Sequence, residues 1–232
     1  MNYSTMVNVA RIHLVDGFSY TGLPWAILAL DFVVGLAIAA SVGGGHNTQV
    51  PVGALAAIYV IFLVVGALSI FRSLPFALAL GVSRRSYYAG TALLAVCLAA
   101  VYGLALAVLQ VIEQATGGWG VGLHFFRVAY ILPGPWYLTW LTSFVGLALM
   151  FAYGMWIGLV YRRWNLLGLL AFSAAQVIAA LVLVIIGTNA HAWPAIGHFF
   201  TTISAAGLTG LLAALAVMLL AGGYTTIRRV TV

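Results

Sequence analysis

Arg72-Ser73-Leu74-Pro75-Phe76-Ala77-Leu78-Ala79-Leu80-Gly81-Val82-Ser83-Arg84-Arg85-Ser86-Tyr87-Tyr88 is a short break between two long apolar runs, and the rest of the chain is read outward from it. Ser73 is placed to cap a helix whose first turn tolerates Pro75, Gly81 to end that helix after two turns, and Ser83 to cap the next. The expected product is a short helix from Leu74 to Leu80, a break, and then a long helix. The short helix is entirely apolar and far too short to cross a hydrocarbon core of about 30 Å. Arg72 precedes it and Arg84 and Arg85 follow it. An apolar element pinned between arginines either lies in the lipid interface or docks on a partner.

On both sides of this break the chain is dominated by apolar runs. Hydrophobic residues make up 65% of the 232 and charged residues 5%, against roughly 45–50% and 25% in a soluble domain. So few charges cannot cover the surface of a soluble globule, and disorder, which needs high charge and low hydrophobicity, is excluded. The expected class is an all-α membrane protein. Six runs are long enough to cross as helices, at 22–43, 53–71, 87–112, 137–160, 166–187 and 204–223. Strand alternation is absent, which argues against a barrel. No soluble domain fits, so 1–232 reads as a single transmembrane domain.

The arginines orient it. With the N-terminus in the cytoplasm, Arg11, Arg72, Arg84, Arg85, Arg162, Arg163, Arg228 and Arg229 fall inside and only Arg127 outside, a strong positive-inside bias. Both termini are then cytoplasmic, in a multi-pass protein of the inner or plasma membrane. All nine basic residues are arginine, and the formal net charge is +6. Without a lysine the chain has no G-x-x-x-x-G-K-[ST] phosphate cradle, so any ATP chemistry belongs to another chain. The arginines stand singly or in pairs between apolar runs, which fits membrane orientation and not nucleic-acid binding. The one cysteine, Cys97, allows no intrachain disulfide. The N-terminus lacks the basic region and short apolar core of a cleaved signal.

Residues 1–18 put Tyr3, Met6, Val7, Ala10, Leu14 and Phe18 on one helical face, with Ser4, Asn8 and Arg11 opposite, the pattern of a helix lying in the interface. Gly117, Gly118, Gly120 and Gly122 mark a turn-rich outer segment at 113–136. Gly43–Gly45 followed by His46 is expected to be a turn. Asp31 falls near the middle of the first run, where an ionisable group costs roughly 2.5–3.5 kcal/mol and is often functional. It is expected to face protein or a water-filled cavity, and either contacts substrate or bonds a neighbouring helix. Gln176, Ser173, Thr139, Thr142 and Ser143 read as interhelical hydrogen-bonding groups, with Gln176 also a candidate on the substrate path. Gly154 and Gly158 form a GxxxG step that permits close helix approach. His191 and His198 lack the cysteine or carboxylate that would complete a metal site, so no metal is expected.

The break at 72–88 also resembles the intracellular loop of ATP-binding cassette (ABC) transporter permeases, where a Leu-Gly-x-Ser-Arg-Arg run joins the second and third spans; here it is Leu80-Gly81-Val82-Ser83-Arg84-Arg85. The amphipathic N-terminal segment, six spans and a closing Ile227-Arg228-Arg229 are similar to type II exporter permeases. The resemblance implies a permease subunit that is not itself an enzyme, paired with a second permease copy, identical or not. It also implies partner ATPase subunits that carry ATP and Mg and grip a coupling-like helix. Leu74, Phe76, Leu78 and Leu80 would be that helix's anchors, flanked by Arg84 and Arg85, and short re-entrant helices would stand between the last two spans. An interior with few charges favours an amphipathic or lipid-like cargo, moved outward. The competing reading is a stand-alone ion-coupled carrier or channel using Asp31 and Glu113. A membrane-embedded enzyme has no Ser/His/Asp, paired-carboxylate or metal cluster to support it.

Overall fold

The computed structural model describes residues 18–41, 53–126 and 135–227, and among them no strand occurs. The chain is a bundle of helices: α1 (Leu23–Ser41), α2 (Gly53–Leu68), α3 (Leu74–Ala79), α4 (Arg84–Ala115), α5 (Trp136–Asn189), α6 (Trp193–Thr202) and α7 (Ala205–Thr226). The expected interfacial helix over 1–18, the turn at Gly43–Gly45 and the arginines Arg11, Arg127, Arg228 and Arg229 lie outside the described residues, apart from Phe18.

Among the described residues, five helical stretches are long and apolar enough to cross a membrane: Tyr20–Ser41, Leu55–Ala79, Arg84–Ala115, Trp136–Asn189 and Ala205–Thr226. Four of the six apolar runs have one stretch each. The other two share α5, whose 54 residues are interrupted at Asn165, with φ 55° and ψ −158°. Positive φ with this extended ψ is a conformation that glycine alone adopts freely, so the break at Asn165 carries backbone strain.

The part of α5 before Asn165 is the pillar of the bundle, and glycine explains why. A Cβ added at Gly154 would stand 1.9 Å from the Leu63 carbonyl oxygen, and one at Gly158 2.6 Å from Ile70 Cβ, so α2 lies directly on the GxxxG step. Its partner is thus a helix of the same chain. From the other side Gly103 of α4 admits the backbone of α5, its Cβ position being 2.9 Å from Phe144 N. The last helix, α7, joins the pillar through a Thr142–Thr209 hydroxyl pair at 2.7 Å and a bond from Trp156 Nε1 to the Leu219 carbonyl at 2.7 Å. Helices in lipid gain nothing from burying leucine against leucine, so close backbone approach and hydrogen bonds of this kind hold them together.

Around the pillar the core is aromatic. Tyr87, Tyr102 and Phe151 are fully buried. The Tyr102 hydroxyl donates to the carbonyls of Tyr20 at 3.2 Å and Thr21 at 3.0 Å, and its ring stacks on Trp25 at 5.2 Å, which fastens the start of α1 to α4.

Candidate functional site

The break that opened the sequence reading folds as an elbow, and its details depart from expectation at one end. Ser73 does not cap a helix: it has helical φ and ψ and makes no capping bond. The chain stays helical from α2 into α3 through a widened π-turn at Ser69–Ser73, so α3 is a bent continuation of α2 and not a separate helix. The cause is local. Pro75 has no N–H to give to the Phe71 carbonyl four residues earlier, and a widened turn is a usual answer to a missing ladder bond. The freed carbonyls are taken by distant side chains: Arg162 Nη2 of α5 donates to Phe71 O, and the Tyr87 hydroxyl of α4 donates to Ser69 O.

The other end behaves as its residues require. Gly81 takes φ +80°, Val82 N bonds to Ala77 O at 3.0 Å, and Gly81 N bonds to Leu78 O at 3.0 Å, the paired closure of a helix ended by a left-handed glycine. Ser83 then caps α4, its Oγ accepting from Ser86 N at 3.2 Å.

This geometry divides the six residues singled out on the short helix and its flank. Leu74 (1% exposed) and Ala77 are buried, and Leu78 is partly buried against the core, so this face fastens α3 to the bundle. Phe76 (57% exposed) and Leu80 (59%) lie on the opposite face, one helical turn apart at i and i+4. After the glycine turn, Arg85 is exposed and Arg84 is half-buried. An apolar pair is thus presented outward on an elbow tied to α2 by the chain, to α4 through Tyr87 and to α5 through Arg162. Tyr88 adds a tie to α7, donating to Leu220 O at 3.0 Å. The matching signal in the sequence is weak, because every residue from Leu74 to Leu80 is apolar and no periodicity separates the faces.

The polar candidates of the interior are not brought together. Asp31 sits on α1, which packs on α2 and on the turn at Gly118–Gly122, and its Oδ2 is buried without a hydrogen-bond partner. Gln176 lies beyond Asn165 on an exposed face, where its Oε1 accepts from the Tyr153 hydroxyl at 2.5 Å. Thr142 does bond a neighbouring helix, through Thr209.

Glu113 is where sequence reasoning fell short. It is 1% exposed, and its Oε2 accepts from Phe125 N at 2.9 Å, Phe126 N at 2.8 Å and Trp119 Nε1 at 3.3 Å. The carboxylate thereby gathers the turn that follows α4, in which Gly117, Gly118 and Gly120 all take positive φ. Phe32 of α1 packs on Trp119, Phe125 and Phe126, so the gathered turn packs against the middle of α1. His124 Nδ1 stands 3.9 Å from Glu113 Oε1. With one oxygen committed to three donors, this group fits a staple better than an ion carrier.

The chain matches no family profile, no curated protein and no solved structure.

Proposed function

We propose that this chain is the membrane subunit of an ABC exporter, moving an amphipathic or lipid-like cargo outward with ATP and Mg held by separate ATPase subunits. In this reading it has six spans, because α5 crosses twice and turns at Asn165. Both termini are cytoplasmic in the inner or plasma membrane, and a second permease copy completes the path. The observation that carries the proposal is the exposed Phe76–Leu80 pair on a braced elbow. An apolar pair of this kind, followed in the chain by an exposed Arg85, is what an amphipathic element offers to a groove. The braces give it a mechanical meaning: a push on α3 reaches α2, α4 and α5 at once through the chain, Tyr87 and Arg162. The unpartnered Asp31 Oδ2 supports a place for this group on a polar path within the protein.

The test is affinity purification of the tagged chain, in mild detergent, from the cells that make it. It is expected to bring down a soluble subunit with a phosphate-binding loop, while the chain alone neither binds nor hydrolyses ATP. Each large apolar side chain buried in a groove is worth roughly 1.5–3 kcal/mol, so Phe76→Ala with Leu80→Ala should weaken retention by two to four powers of ten. Since both residues face away from the bundle, the variant should still insert and keep its thermal stability. Undiminished retention of the ATPase with wild-type transport would refute the docking role. Transport by the chain alone in sealed vesicles would favour the carrier reading.

A further inference from the structure

At the turn between the two parts of α5 lies an open hollow of about 520 Å³, lined by Val160, Trp164, Leu167, Gly168, Ala171 and Phe172. It falls within the roughly 300–1,000 Å³ range of small-molecule sites, and its lining carries almost no polar surface. Small residues make the space. Gly168 and Ala171 are one turn apart, and a Cβ at Gly168 would collide with Trp164 Cβ at 2.0 Å, so no larger residue fits there without a shift of the backbone. A cation stands at one edge: the Arg163 guanidinium lies 4.6 Å from the centre of the Trp164 ring. Among the described residues no carboxylate pairs with Arg163, the one ion pair being that of His124 with Glu113.

We infer that this hollow holds one acyl chain of an anionic phospholipid whose headgroup phosphate sits against Arg163. Charge complementarity selects this occupant. The hollow suits a hydrocarbon chain, the unpaired guanidinium suits a phosphate, and the net +6 of the chain favours anionic over zwitterionic lipid. A second copy of this strongly basic chain would bring no matching carboxylate from any described residue, since Asp31 Oδ2 is buried inside the bundle and Glu113 is held by the turn after α4. The inference requires no ATPase partner and stands or falls separately from the exporter reading.

Native mass spectrometry of the purified full chain in a non-ionic detergent tests it, with phosphatidylglycerol and phosphatidylcholine of equal chain length as probes. One phosphatidylglycerol is expected to be retained in preference to phosphatidylcholine. Arg163→Gln should cut that preference roughly fivefold, the attraction of one arginine for an anionic headgroup. Ala171→Leu should lower retention of both lipids by filling the hollow. Should that variant not fold, Ala171→Cys in a Cys97→Ala background, capped with a small apolar reagent after purification, fills the hollow in the folded chain. Equal retention of the two lipids by the wild type overturns the proposal. So does a filled hollow that leaves lipid occupancy intact while breaking a dimer, because the surface is then an interface between copies.

Discussion

The two parts of α5 are both apolar, the second more so, and they have opposite fates. Before Asn165, Leu147, Phe151, Met155 and Leu159 are buried, and α2, α4 and α7 all lean on them. After it, Leu181, Val182, Leu183, Val184, Ile185 and Ile186 are all exposed, and the tie back to the pillar is the Tyr153–Gln176 bond. Hydrophobicity does not explain the difference, because the more apolar part is the exposed one. What does is where the small residues lie: Gly154 and Gly158 meet the backbone and side chains of α2, whereas Gly168 and Gly187 meet only Trp164 and Trp193 of nearby sequence. In a bilayer the lipid tails are as apolar as leucine, so a helix is recruited into the bundle by shape and hydrogen bonds, and a helix lacking both is left to lipid or to another subunit.

The sharpest way to break this contrast is Gly154→Leu. Its Cβ position is 1.9 Å from a backbone oxygen that cannot rotate away, so α2 must shift along its length. Overpacking typically costs about 1–3 kcal/mol and here should exceed that range, so that little folded chain elutes as a single species in size-exclusion chromatography. If Gly154→Leu folds with unchanged melting temperature, α2 is not seated as described. Next in size is a matched pair. Leu147→Ala should cost about 2–5 kcal/mol in thermal or denaturant unfolding, while Leu183→Ala should stay within about 0.5 kcal/mol for the isolated chain. A large cost at Leu183 would mean the second part has a partner within the chain after all.

The staple at Glu113 sets the next prediction. Glu113→Gln keeps the shape and removes the charge from three donated hydrogen bonds, which should cost about 1–2 kcal/mol. Hydrogen exchange at Phe125 and Phe126 should quicken accordingly, with α2 and α3 unaffected. The smallest expected effect is at the elbow. Arg162→Ala leaves Phe71 O without its donor and should cost about 1–1.5 kcal/mol. Pro75→Ala supplies a local N–H, so the pair should show a coupling of about 0.5–1 kcal/mol in a double-mutant cycle. Additive losses would mean the proline and the arginine are unrelated.

These contrasts mark what the residues reveal and what they hide. Helix existence was legible from apolar length, and Gly81 and Ser83 announced their roles because a left-handed turn and a helix cap each demand particular side chains from their own position. The GxxxG step announced a close approach but not its partner. Ser73 misled, since a serine before a proline can equally sit inside a helix that widens to pass it. The donors to Glu113 are 12 and 13 residues away, and the donor to Phe71 O is 91 residues away, beyond any local pattern. The two faces of α3 were hidden for a different reason: with all residues apolar, only the packed bundle decides which of Leu74 and Phe76 turns inward.

The distance between Phe71 and Arg162 also fixes an order of events during synthesis. The carbonyl is made 91 residues before the guanidinium that caps it, and the Leu220 carbonyl that receives Tyr88 is made 132 residues after its donor. At about 5–20 residues per second, the elbow emerges from the ribosome roughly 5–20 seconds before its first distant brace can arrive. During that interval the π-turn is held by α2 and Tyr87 alone, and water or a lipid headgroup must serve the open carbonyl. The joint therefore stiffens late, after α4 and the first part of α5 have been made, and a chain truncated before residue 162 would carry a slack elbow however well its first helices had inserted.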